Sequence, residues 1–227
     1  MRFSIIVPVL NEEAVLEQQL SQLARLGTSY EYEVLLVDGG SVDQTARIAQ
    51  RFGQVIHAPR GRAVQMNRGA QAACGDIYIF LHADTLLPED AFETIARACA
   101  SPQVVGGAFR LSFNSKKLSY RLVALTANLR SRWRGIFTGD QAYFVRAESF
   151  KAIGGFLEIA LMEDLEIIAR LRQLGRVVLL PRYVSTSARR HQQVGLVRSV
   201  LFMWYLRILY KFGASPEQLQ RKYVDIR

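Results

Sequence analysis

Ile77-Tyr-Ile-Phe-Leu-His-Ala-Asp84 is the stretch that decides how the rest of this 227-residue chain is read. Five apolar residues, β-branched and aromatic types among them, run into the polar tripeptide His82-Ala83-Asp84. The run is too short for a typical helix and is apolar on both faces, the pattern of a central parallel strand. Pro88, Glu89 and Asp90 follow and open a helix that reaches about Ala100. A carboxylate just past the C-terminal end of such a strand sits where open α/β sheets bind ligands. Asp is equally at home there as a turn or capping residue. The stretch alone leaves both readings of Asp84 open.

Working upstream, Ser4 to Val9 reads as a buried strand, with Pro8 tolerated near its end. Asn11-Glu12-Glu13 opens a helix in which Leu16, Leu20 and Leu23 share a face, and Gly27 stops it. Glu33 to Val37 is a second strand that ends in Asp38-Gly39-Gly40-Ser41. Ser41 with Gln44 fits a capping box for the helix that follows. Val55 to His57 is a third strand, and Gly61 to Ala73 a helix carrying Ala63, Met66, Ala70 and Ala73 toward the sheet. The order βαβαβαβα argues for a parallel sheet covered by helices. Its polar strand ends, Pro8 to Glu12, Asp38 to Ser41 and His82 to Asp84, would gather along one edge. No Gly-x-Gly-x-x-Gly fingerprint follows the first strand and no Gly-Lys-Ser/Thr phosphate loop occurs, which excludes the familiar dinucleotide and P-loop patterns.

Downstream, Val104 to Phe113 reads as a strand, Lys117 to Arg134 as a basic amphipathic stretch and Ala142 to Arg146 as a strand. Gly154-Gly155-Phe156 marks a tight turn. Met162 to Glu166 begins a helix whose acids suit its dipole. Within it Glu166 aligns with Arg170 as a solvated ion pair. Asp164 aligns with Ile168 and Leu171, the body-facing side, and is therefore the acid placed to reach a cleft. Val177 to Leu180 is a last strand before Pro181. A nearly apolar helix runs from about Val194 to Phe212, interrupted by Arg198 and Arg207. It fits against the domain, a second subunit or a membrane interface.

Half of the residues are hydrophobic and 22% are charged, a globular balance without a disorder signature. The net charge of +9 favours an anionic partner: nucleic acid, a phosphorylated ligand or an acidic membrane surface. Cys74 and Cys99 fall in helices without metal-ligand spacing and read as buried thiols in a reducing compartment. The chain enters a strand at once, without a secretory signal, and no apolar run approaches the roughly 20 residues of a membrane span. The expected location is the cytoplasm, at the inner face of the membrane if the basic and apolar helices meet lipid.

Taken in order, these stretches resemble the family-2 glycosyltransferases, which have the GT-A fold. Ser4-Ile-Ile-Val-Pro-Val-Leu-Asn-Glu12 resembles the family's opening strand, and Val37-Asp-Gly-Gly-Ser-Val-Asp-Gln-Thr45 its Asp-Asp-Gly-Ser-x-Asp-x-Thr signature. Asn67-Arg68-Gly69 lies in the matching Gly-rich helix. Phe80 to Asp84 occupies the place of the Asp-x-Asp motif, with His82 at its first position. Gly154-Gly155-Phe156 and Glu163-Asp164 match the later turn and the Glu-Asp motif that carries the base. The Gln-x-x-Arg-Trp motif of the processive synthases is absent, which points to a single transfer per encounter.

The resemblance implies an α/β chain with a GT-A domain over 1–190, divided into a nucleotide-binding half (1–100) and an acceptor half (101–190). A C-terminal helical segment, 191–227, completes it. It also implies a nucleotide-sugar donor, with UDP favoured, and inverting transfer of a hexosyl or N-acetylhexosaminyl group to an acceptor hydroxyl. The backbone at Val7 and Pro8, with Glu12, would hold the nucleoside. Asp38 would read a base N–H, and Arg62 and Arg190 would approach base or diphosphate. Asp84 would bind Mg²⁺ or Mn²⁺, with His191 as a second metal ligand. Asp164 would be the general base, with Glu163 beside it. Two alternatives are carried along: transfer to a polyprenyl phosphate at a membrane surface, and a non-catalytic module binding nucleotide or nucleic acid. The basic residues lack the interleaved aromatics of a single-strand-binding surface, so no nucleic-acid partner is expected. Peripheral membrane contact and homodimerisation both remain open for the final helix.

Overall fold

A computed structural model describes residues 1–189 and 195–224. Arg190 and His191, and with them the expected boundary between residues 190 and 191, lie outside the described residues. Chain order is β1 (Phe3–Val9), α1 (Glu13–Ala24), β2 (Tyr32–Asp38), α2 (Thr45–Ala49), β3 (Gln54–His57), α3 (Arg62–Ala72) and β4 (Ile77–Phe80). Then come β5 (Thr85–Leu86), α4 (Ala91–Ala98), β6 (Val104–Phe113), α5 (Leu118–Arg134), a 3₁₀ turn (Gly139–Gln141), β7 (Tyr143–Arg146) and α6 (Ala147–Ala152). The chain continues through α7 (Glu163–Leu174), β8 (Arg176–Thr186), α8 (Leu196–Lys211) and α9 (Pro216–Val224).

One sheet of eight strands, in the order β3-β2-β1-β4-β7-β6-β8-β5, runs through the domain. The α/β class and the GT-A-like architecture read from the sequence are what the chain adopts. β4 differs in one respect from the expected parallel strand. It is parallel to β1 on one side and antiparallel to β7 on the other, so it is the seam of a mixed sheet. Its apolar run is still explained by burial on both faces. Ile77, Ile79 and Leu81 enter one core with Phe3, Ile5 and Phe92. Tyr78 and Phe80 enter the other, beside Tyr143, Phe150 and Phe156, where Phe80 meets Phe156 edge-on at 4.9 Å between centroids.

Other expectations are corrected. Ser41 does not cap a helix: α2 begins only at Thr45 without a side-chain cap, and the Ser41 hydroxyl donates instead to Asp38 Oδ1. The last strand does not stop before Pro181. β8 passes through it because the pairing with β6 is bulged there, jumping from Ala108–Leu179 to Arg110–Tyr183, so no ladder bond demands the missing proline N–H. Cys74 lies beyond the end of α3 and is exposed, whereas Cys99 is buried as read. The Glu166–Arg170 pair forms but is partly buried, and Arg170 also donates to the Ile153 carbonyl, so it ties α7 to the preceding turn.

The C-terminal helices dock on the domain through a small separate core in which Leu206 and Leu219 meet Leu161 and Met162. Among the described residues, no helix is long and apolar enough to cross a membrane.

α3 lies on the sheet at a distance that only glycine permits. A Cβ on Gly69 would come within 2.4 Å of Ile6 Cγ2 and 3.0 Å of Val37 Cγ2, both on fully buried side chains. In an exposed helix, Gly→Ala gains about 1 kcal/mol of helix propensity. Here overpacking should reverse the sign, and Gly69→Ala is expected to lower unfolding free energy by roughly 1–3 kcal/mol. Urea unfolding measures it; a variant as stable as the parent would show that α3 can lift off the sheet.

Candidate functional site

The site begins where the sheet comes apart. Pairing of β1 with β2 continues to Val9–Asp38, but pairing of β1 with β4 ends at Ile6–Phe80. Beyond Ile6, the β4 side of β1 is therefore open, at the point where the strand order reverses direction, the usual position of a ligand crevice. Val7 and Pro8 border this opening. The Val7 side chain is buried in the core, so only its backbone can face a ligand. Asp38 ends β2, with only 3% of its surface exposed. Its carboxylate accepts the Ser41 N–H at 3.1 Å and the Ser41 hydroxyl at 2.5 Å, and His57 Nδ1 lies 3.6 Å away. Glu12, at the start of α1, accepts from Arg189 Nη2 at 3.1 Å, which draws the 187–189 segment toward the start of α1.

Asp84 follows β4 on the same edge, and its backbone carbonyl receives the Ser187 N–H. Among the described residues no group of three or more His, Cys, Asp and Glu could hold a metal. A half-buried single carboxylate fits Mg²⁺ or Mn²⁺ only where phosphate oxygens and water complete the shell, and the donor chemistry at Asp84 suits that arrangement. His82 is turned toward the 3₁₀ turn: a Cβ on Gly139 would lie 2.5 Å from His82 Nε2.

Gly139 connects this edge to the acids of α7, because its N–H donates to Asp164 Oδ2 at 3.2 Å. The 3₁₀ turn is locked by the buried Gln141, whose Oε1 accepts from Thr138 N–H and Ser131 Oγ while Nε2 donates to Phe109 O. Thr138-x-x-Gln141 is a capping box legible in the sequence. It is the signal by which the turn could have been found.

Both acids of the Glu163-Asp164 pair face inward, not Asp164 alone. Glu163 shares its stripe with Ile167 and Leu171 and is the more buried of the two. Its Oε1 is 3.0 Å from Arg62 Nη1. Arg62, expected near base or diphosphate, thus spends its guanidinium on Glu163, whose charge raises the Arg62 pKa further. Asp164 is raised from the ordinary carboxylate range to about 6, by burial first and by Glu163 next, against opposing pulls from Arg207, Arg62 and the Gly139 N–H.

The turn that presents the acids is held by α3. Gly154 and Gly155 have φ of 75° and 76°, the left-handed region open to glycine. Asn67 then accepts the Phe156 N–H at 2.9 Å and donates to its carbonyl at 3.0 Å. Gln65, on the same helix, bridges the carbonyls of Val9 and Val37 at the splayed strand ends. Gln65 went unread because a glutamine on a sheet-facing helix stripe has no sequence signature of its own.

Residues 4–154 match the family model described as Glycosyl transferase family 2. A PGL/p-HBAD biosynthesis glycosyltransferase of Mycobacterium bovis is 32% identical over 212 residues, covering 85% of this chain and 77% of its own. Among solved structures, S. aureus TarS in complex with UDP superposes with a TM-score of 0.67 at 19% identity, over 82% of this chain and 60% of that one. The chain therefore spans about three fifths of that solved protein. A Pyrobaculum calidifontis mannosyltransferase in complex with GDP-Man and Mn²⁺ gives 0.64 at 22% identity, over 96% and 67%. At these identities the solved structures establish the fold.

The raised Asp164 pKa has a consequence for stability. Between pH 4 and 6 the folded chain binds more protons at this group than the unfolded chain, so its contribution worsens as pH rises through that window. Asp164→Asn should therefore be more stable than the parent at pH 7 by on the order of 1–3 kcal/mol. The advantage should vanish near pH 4. Equal stability at both pH values would mean the carboxyl titrates normally.

Proposed function

This chain belongs to glycosyl transferase family 2, and we propose that it transfers one sugar from a UDP-sugar to an acceptor hydroxyl with inversion at the anomeric carbon. Family membership supplies a glycosyltransferase acting on nucleotide-sugars. The finer reading is supported above all by one arrangement: Asp164 lies across Gly139 from the strand end that carries His82 and Asp84. A group of sugar size held between the two would have a leaving diphosphate on one side and a carboxylate on the other.

In this reading Asp38 accepts a hydrogen bond from the base, and Val7, Pro8 and Glu12 border the nucleoside. Arg62 holds Glu163, and Asp164, which accepts one backbone N–H on each oxygen, keeps its remaining lone pairs for the acceptor. Asp164 takes the proton of the acceptor hydroxyl as that oxygen bonds to the anomeric carbon and the bond to the diphosphate breaks on the opposite face. A pKa near 6 leaves the group ionised at neutral pH yet basic enough to take a proton. A divalent cation held by Asp84 would supply charge neutralisation for the diphosphate. The UDP and the GDP-Man with Mn²⁺ in the two solved neighbours are consistent with such a donor.

A second reading concerns where the acceptor sits. α5 carries Arg121, Arg132 and Arg134, the packed α8 carries Arg198 and Lys211, and neither has an Asp or Glu. The two helices expose Leu118, Leu122, Leu125 and Trp133, and Leu201, Trp204, Tyr205 and Ile208. An apolar groove of about 520 Å³ opens beside Leu118, Leu122 and Leu125. This combination suits the surface of an anionic bilayer, where interfacial helices lay aromatic and aliphatic side chains. A lipid acceptor, polyprenyl phosphate included, would be met there, at the cytoplasmic face.

UDP with Mn²⁺ should stabilise the protein in thermal shift, and Asp38→Ala should remove most of the effect, a loss on the order of 1.5–3 kcal/mol. Asp164→Asn should bind UDP as the parent does yet turn over roughly 10²–10⁴-fold more slowly. If Glu163→Gln is inactive while Asp164→Asn works, the base is the wrong carboxylate. For the surface, salt-reversible cosedimentation with phosphatidylglycerol vesicles is expected, weakened by Leu122→Glu and Trp204→Glu. A stable dimer that does not sediment with vesicles would assign the face to a second copy.

A further inference from the structure

Two arginines near Asp164 have no hydrogen-bond or ion-pair partner among the described residues. Arg130 lies in the last two turns of α5, and its Nε is buried without a hydrogen bond. Asp140, in the 3₁₀ turn, and Asp164 are the acids that face it. Neither comes within the 4.0 Å of an ion pair, and Asp140 Oδ1 is likewise buried without a partner. Asp164 gives its oxygens to Gly139 and Leu165 N–H groups. Arg207, on α8 packed against α5, is near enough to act electrostatically on both Arg130 and Asp164, and among the described residues its guanidinium makes neither hydrogen bond nor ion pair. Burial, and after it the like charge of Arg207, brings the Arg130 pKa down to about 10.

Such an arrangement is costly as it stands. A buried donor without an acceptor and two guanidinium groups in mutual repulsion both destabilise the fold. The other inward cation, Arg62, is matched by Glu163. What Arg130 and Arg207 lack is an oxyanion, and two forked guanidinium groups offer more N–H donors than one carboxylate can accept. Three phosphate oxygens can accept from both. The pair comes from α5 and α8, whereas the strand end with His82 and Asp84 meets Asp164 through Gly139.

We propose that Arg130 and Arg207 form a subsite for a phosphate monoester carried by the acceptor, holding it so that a hydroxyl of the same molecule meets Asp164. The subsite rests on the reading of Asp164 as the base in sugar transfer. The phosphate can belong to a soluble molecule or to a lipid headgroup, and the same two arginines would take either.

The test uses the protein saturated with UDP and Mn²⁺, so that phosphate cannot report on the donor site. Glycerol 3-phosphate, with glycerol as the neutral control, probes the soluble source. Vesicles doped with phosphatidate, against vesicles of the phosphodiester phosphatidylglycerol at equal charge, probe the lipid source. Binding of one phosphomonoester form is expected, weakened about 10- to 100-fold in Arg130→Gln and Arg207→Gln, with Arg207→Lys falling between and UDP affinity unchanged. Arg130→Met should melt higher than the parent without phosphate, the opposite of what loss of a structural arginine does. Which probe binds assigns the source. Phosphate affinity unchanged in the variants, no binding of either probe, or a parallel fall in UDP affinity overturns the subsite, the last returning the arginines to the donor diphosphate. If UDP itself does not bind to any of the proteins, the nucleotide-sugar reading fails and the subsite with it.

Discussion

The Arg62–Glu163 ion pair is the constraint on which the rest of the site depends. It joins residues 101 positions apart and links the helix behind the nucleotide edge to the helix that carries the acids. Removing Arg62 would leave Glu163 charged and buried, which commonly costs about 3–5 kcal/mol. A well-packed apolar pair could be as stable, so stability alone does not account for the two charges. Their effect on Asp164 does. Burial raises the Asp164 pKa first and Glu163 next, while Arg207 and then Arg62 restrain the rise, leaving a carboxylate near 6.

Several further ties between the two halves of the site come from the same eleven residues of α3. Gln65 closes the splayed ends of β1 and β2, and Gly69 seats the helix on those strands. Asn67 clamps the glycine turn that leads to Met162, which enters α7 at φ of 72°. Arg62 then fixes the first acid of α7. A helix that looks like sheet cover in its apolar pattern is thus also the piece that sets the distance between donor edge and acids. The Asn67-x-Gly69 pair makes physical sense in these terms, as one residue clamping a turn and another permitting close approach.

Strand runs such as Ile77 to Phe80 were legible because burial on both faces leaves an unbroken apolar signature. The polar strand ends are legible because a carboxylate follows each such run within three residues. What the pattern could not convey is pairing. Nothing in Tyr143 to Arg146 says that it inserts antiparallel between β4 and β6, since any apolar strand can satisfy either neighbour. Pro181 misled for a related reason: a proline ends a strand only where its N–H is needed, and a bulge removes that need. Ser41 was read as a local cap, although its hydroxyl serves Asp38 and the Asn11 N–H across the loop. The partner of Glu163 was invisible because helix periodicity ranks faces without naming what lies opposite.

The central claim is that burial and the Arg62–Glu163 pair together set Asp164 as an inward carboxylate with a raised pKa that is still ionised at neutral pH. A ¹³C NMR titration of labelled aspartate carboxyls, with Asp164 assigned by its loss in Asp164→Asn, measures this directly. The account requires a midpoint near 6 in the parent, moving higher in Arg62→Gln as the compensating cation is lost. A midpoint near 4, unmoved by Arg62→Gln, would contradict it.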